Sequence, residues 1–64
     1  MSKPTITRVG ERIVKIRFKI KDSSAILQHS GIVDQLPRDK ARSEWIATEK
    51  KFSVVDGWAE VTPR

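Results

Sequence analysis

Four basic residues stand at alternate positions in the stretch RIVKIRFKIK: Lys15, Arg17, Lys19 and Lys21. Cations repeated at that spacing suit one piece of chemistry, the neutralisation of a row of anions such as nucleic-acid phosphates. Arg8 and Arg12 lie just ahead of the row and extend its positive field. Trp58, near the other end of the chain, is the ring that such a surface would use to stack a base or wedge against a sugar. Lysines on an exposed strand also deter edge-to-edge aggregation, which needs no ligand. The net charge is +5, and residues 1–21 carry seven Lys/Arg against the single acid Glu11. The remaining residues hold six Lys/Arg and seven acids, so the basic character belongs to the N-terminal segment. Such asymmetry fits a nucleic-acid partner or an acidic protein partner.

Other chemistries find little material. His29 is the only histidine and there is no cysteine, so no metal-ligand spacing exists. A lone histidine among apolar neighbours reads as a packed, hydrogen-bonded side chain. The serines lack a nucleophile context, and Gly10, Gly31 and Gly57 are scattered, so no phosphate-cradling loop occurs. We expect no enzyme activity, no metal and no cofactor.

At 64 residues the chain forms one domain at most, with residues 1–3 as a loose tail. Without disulfides or a thiolate zinc site, its stability rests on a compact apolar core, a partner or a second copy of itself. No apolar run has the length of a membrane span, and no signal-peptide core follows Met1. The expectation is a cytoplasmic protein that does not engage membranes.

Two hairpins and one or two helices must position these residues. TITRV and RIVKIRFKI alternate around Gly10-Glu11, a type II′ turn sequence. In the simplest register Thr5, Thr7, Val9, Val14, Ile16, Phe18 and Ile20 share one face. Ile6, Arg8, Ile13, Lys15, Arg17, Lys19 and Lys21 share the other. The period then changes to helical in DSSAILQHSGIVDQL, with Ala25, Ile26, His29, Ile32, Val33 and Leu36 on a stripe. Asp22, Ser23 or Ser24 supplies the N-cap oxygen, and Gly31 is a point where the helix could break. After Pro37, PRDKARSEWIATEKK reads as a second helix, with Ala41, Trp45, Thr48 and Phe52 in line. FSVV-DG-WAEV is a type I′ hairpin that pairs Val55 with Trp58 and Phe52 with Val61.

The predicted fold class is α+β: an antiparallel β-sheet from two hairpins, with one or two α-helices packed on one face. Ile16, Phe18, Phe52, Val54 and Val61 would meet Ile26, Leu36, Ala41 and Trp45 in the core. The sheet's other face would be basic and carry Trp58 and Val55. A winged-helix geometry, in which the second helix reads DNA through Arg38, Lys40 and Arg42, is disfavoured by Asp34, Asp39, Glu44 and Glu49 nearby. In size, in having no cysteine and in lacking a catalytic motif, the chain resembles small accessory or regulatory proteins of bacteria, phages and plasmids. No motif carries that likeness, and no residue is transferred from it.

The leading expectation is a small nucleic-acid-binding regulatory protein using Arg8, Arg12, Lys15, Arg17, Lys19, Lys21 and Trp58. The alternative is a protein-interaction module, an inhibitor or adaptor of a partner. A homodimer fits either, with Trp58, Val55, Ile6 and Ile13 as an exposed apolar patch.

Overall fold

The computed structural model describes residues 3–64. The first two residues of the expected tail therefore lie outside the described residues. Four strands and two helices follow in the order β1 (Thr5–Val9), β2 (Arg12–Lys19), α1 (Ala25–Asp34), α2 (Lys40–Ala47), β3 (Lys50–Val55) and β4 (Trp58–Pro63). The strands form one antiparallel sheet in the order β1-β2-β4-β3, and both helices pack on one side of it. The fold is the expected α+β arrangement of two hairpins. What joins them is the pairing of β2 with β4, which sets Ile16 opposite Val61 and Lys19 opposite Trp58.

Both turns have the geometry their sequences require. Asp56 (φ 52°) and Gly57 (φ 78°) both take left-handed backbone, as a type I′ turn demands. In the first hairpin only Gly10 does, at φ 63°, the pattern of a type II′ turn. The β3–β4 register is the predicted one along its whole length.

The β1–β2 register departs from simple alternation. Val9 opposes Arg12 and Arg8 opposes Ile13, but Thr7 opposes Lys15 and Ile6 opposes Ile16. The irregularity between Thr7 and Arg8 is a β-bulge, with Val14 as the extra residue on β2. It inverts the face assignment of β1, because cross-strand partners share a face. Ile6 joins the core side, Thr5 and Thr7 join the basic side, and Arg8 moves to the helix side. The bulge also lets both Ile13 and Ile16 point into the core despite their spacing of three. The expected apolar patch of Trp58, Val55, Ile6 and Ile13 therefore does not form: Ile13 is buried and Ile6 packs against the core.

The core centres on a row that crosses all four strands, Ile6–Ile16–Val61–Phe52. Ile16, Val61 and Ala59 are fully buried, and Phe18, Ala25, Val33, Leu36, Ala41 and Trp45 close over them. Two expected core members stand outside it, Ile26 at 65% exposed and Val54 at 53%. Val54 lies on the core side of an edge strand, beyond the reach of the helices. On α1 the buried stripe is Ala25, His29 and Val33, which turns Ile26 and Leu27 outward.

Helix α1 runs through Gly31 without a break and tightens at its end, where Gln35 and Leu36 donate to the Ile32 and Val33 carbonyls. Ser24 is its N-cap residue, but its hydroxyl does not cap the helix. That hydroxyl instead donates to Asp22 and accepts from Gln28 Nε2 at 3.1 Å, while Ser24 N–H donates to Asp22 Oδ1 at 2.9 Å. These two bonds from Ser24, with the neighbouring Lys21 charge, hold the Asp22 carboxyl below its ordinary range. Helix α2 starts on Asp39, whose carboxylate accepts from Arg42 N–H at 3.0 Å. It is shorter than the sequence suggests, since Thr48 leaves helical geometry and Lys50 already belongs to β3. Lys50 closes this end: its Nζ donates to the carbonyls of Trp45 (2.6 Å) and Thr48 (2.7 Å). Neither helix is long and apolar enough to cross a membrane.

Candidate functional site

With both helices on one side, the opposite face of the sheet is open. Cross-strand pairing lays its side chains out in rows. One row runs Thr5–Arg17–Glu60–Ser53 and another Lys19–Trp58–Val55; Thr7–Lys15 and Thr62–Lys51 extend the face at one end. Of the expected basic strip, β2 thus places Lys15, Arg17 and Lys19 together, and β4 brings Trp58 alongside.

The side chains converge. The Arg17 guanidinium lies 4.7 Å from the Trp58 ring centroid, and Lys19 Nζ lies 5.7 Å from it. Arg17 Nε also stands 3.6 Å from Glu60 Oε1, and Lys15 Nζ reaches the same oxygen at 3.7 Å. Arg17 is therefore held between an aromatic ring and a carboxylate. Each contact is weak on an exposed surface, about 0.5–1 kcal/mol for a cation–π pair and at most about 1 kcal/mol for an ion pair. Together they restrict Arg17 to one region of the face, beside a shallow cleft lined by Val55, Asp56, Trp58 and Glu60. Lys51 adds a fourth cation, so the strand residues of this face carry four positive charges against Glu60.

Three expected members of the site lie elsewhere. Arg8, opposite Ile13, is exposed on the helix side of the sheet because of the bulge. Arg12 lines a cleft with Lys40, Ala41 and Glu44 of α2. Lys21 lies beyond the end of β2 in a bend next to Asp22, an acid that offsets its charge. Glu60 is the member of the site that a reading of the strip alone misses, although the hairpin register already sets it on the same face as Trp58. Its position opposite Arg17 depends on β2 pairing with β4, which no local signal carries.

The helix layer offers no comparable surface. Arg42 Nη2 is 3.7 Å from Asp34 Oδ1 and ties α2 to α1, with its Nε buried and unpartnered. The β3–β4 hairpin is half of the sheet and does not stand out as a free wing. His29 is buried, and Trp45 Nε1–H donates to its Nε2 at 2.9 Å, which fixes the ring proton on Nδ1. Phe52 packs edge-on against the imidazole, with ring centroids 5.4 Å apart. Burial, and then the nearby Lys50 charge, hold the imidazole pKa below its ordinary value. Burial lowers that of Lys50 as well. A cleft of about 310 Å³ opens beside this pair, lined by Ser30, Asp34 and Ile46 among others. No cluster of three potential metal ligands exists among the described residues.

Searches against protein-family models, curated proteins and solved structures return no match to this chain.

Proposed function

We propose that this is a small, non-enzymatic nucleic-acid-binding protein of regulatory type, which docks a phosphate backbone on the open face of its sheet. The observation that carries the reading is the placement of Arg17 between Trp58 and Glu60, flanked by Lys15 and Lys19, on a face that no helix covers. The three cations neutralise phosphates, and Trp58 with Val55 gives a base or sugar an apolar surface to rest on. A cytoplasmic setting is part of the proposal, in keeping with a chain that has no cysteine.

The test is fluorescence anisotropy with labelled single-stranded and duplex oligonucleotides across a salt titration. Three phosphate contacts predict a loss of roughly 20–40-fold in affinity between 50 and 200 mM salt. Lys15→Gln, Arg17→Gln and Lys19→Gln each weaken binding and flatten the salt dependence, whereas Arg8→Gln does neither. Absence of binding to either oligonucleotide at 50 mM salt refutes the reading.

A further inference from the structure

We infer that the open face takes an extended single strand of nucleic acid, laid along β2 with successive phosphates at Lys15, Arg17 and Lys19. In the free protein the Glu60 carboxylate occupies the place of one of those phosphates. This inference rests on the nucleic-acid reading above and adds the form of the ligand and a residue that competes with it.

The spacing of the three cations fits an extended strand. Alternate residues of a strand stand about 6.6–6.8 Å apart. That distance is comparable with the step between phosphates when a single strand is drawn out straight. Lys15, Arg17 and Lys19 form such a file on one continuous stretch of β2 past the bulge. A duplex spaces the phosphates of each strand similarly, but its bases are paired and stacked inside the helix. Only a single strand leaves a base free to stack on Trp58 beside the row.

Glu60 marks a place for an anion within the row. One of its oxygens receives both Lys15 Nζ and Arg17 Nε, at 3.7 and 3.6 Å. Two cations from successive positions of the file therefore already converge on a single anionic oxygen. A phosphate oxygen has the charge and size to take that place. Both distances exceed hydrogen-bond length, and the Glu60 side chain is 36% exposed, so it can swing into solvent when displaced. Trp58 lies on the other side of Arg17 and, with Val55, floors the neighbouring cleft for the attached sugar or base. Because Glu60 must be displaced, a lone phosphate gains little, and several phosphates joined in one strand gain more.

The experiment measures anisotropy of labelled oligothymidylates of two, four and eight nucleotides, and of a hairpin duplex, with the wild-type protein and with Glu60→Gln. Affinity is expected to rise steeply from two to four nucleotides, and beyond four to grow only with the number of available registers. The duplex is expected to bind at least about 5-fold more weakly than a single strand of equal phosphate number, since it has no free base to stack on Trp58. Glu60→Gln tightens single-strand binding several-fold, up to about 5-fold for each exposed ion pair released. The logarithmic salt slope stays at about −2.1 in both proteins, because the strand meets the same three cations in each at about 0.7 per phosphate. Circular dichroism melting confirms that the variant is folded. Equal affinity for duplex and single strand, or no gain in single-strand affinity in Glu60→Gln, overturns this inference and leaves the nucleic-acid reading standing. Failure to bind any oligonucleotide overturns that reading too. So does competition by polyglutamate as effective as by oligothymidylate of equal charge, which assigns the face to an acidic protein.

Discussion

Replacing Trp45 with phenylalanine takes one N–H out of the core and leaves His29 Nε2 without its partner. Both residues are buried, Trp45 at 3% exposed and His29 at 6%, so water does not freely replace the lost donor. An orphaned buried acceptor costs about 1–3 kcal/mol. The smaller ring also leaves unfilled volume, worth another ~1 kcal/mol. The sum, about 2–4 kcal/mol, is a large part of the roughly 3–10 kcal/mol expected of a 64-residue domain. It corresponds to a fall in Tm of about 8–30 °C. Urea titration followed by far-UV circular dichroism at pH 7.5 measures the loss. The same pair sets a pH dependence. The folded imidazole has its pKa lowered from 6.5, so the unfolded chain takes up the proton first as the pH falls. The associated stability is fully present above pH 6.5 and is lost as the pH drops from there towards the lowered pKa of the folded state. The slope from this one group cannot exceed about 1.4 kcal/mol per pH unit. His29→Gln keeps an oxygen for the indole N–H and cannot titrate, so it removes the slope. If Trp45→Phe stays within about 0.5 kcal/mol of the wild type, or if His29→Gln retains the full loss below pH 6.5, the account of this pair is wrong.

Four further substitutions probe the frame. Gly31 lies inside α1, and a methyl group added at its Cα would meet nothing within 4 Å, so Gly31→Ala stabilises by about 0.5–1 kcal/mol in thermal or urea unfolding. Lys50→Met keeps the apolar stem but removes the ammonium that bonds the Trp45 and Thr48 carbonyls; a loss of about 1–2 kcal/mol is expected, with raised amide exchange in the last turn of α2. Gly57→Ala forces a side chain to φ 78° and costs about 1–2 kcal/mol, whereas Asp56→Asn, a residue equally at ease in left-handed backbone, is close to neutral.

What could be read in advance follows the range of each interaction. Asp56-Gly57 fixes a turn type, and the turn type fixes the register of everything out to Pro63. The β1–β2 hairpin has an equally good turn, yet β1 faces the opposite way from simple alternation. The adjacent apolar pair Ile13-Val14 is the trace of the bulge, but alternation read outward from the turn steps over it. On α1, helical spacing admits a stripe through Ile26 as readily as one through His29, and only the position of the sheet selects the second. The strip of Lys15, Arg17 and Lys19 is local and legible in the sequence. Its contacts with Trp58 and Glu60 bring together residues far apart in the chain, and these rest on the strand order.

The strand order also governs when the protein can fold. Each hairpin is local and closes on a microsecond timescale, but a two-stranded ribbon is marginal alone. The row that buries Ile16 needs Val61 on its far side, so the core begins only when β2 meets β4 across both helices. Closing that long span before any non-local contact rewards it is the slow step. On the ribosome the consequence is sharper. A nascent chain with β1, β2, α1, α2 and β3 already exposed still lacks a central strand, so folding waits for β4 to emerge. Until then the basic strand is displayed on an unfolded chain, next to the ribosome's own RNA.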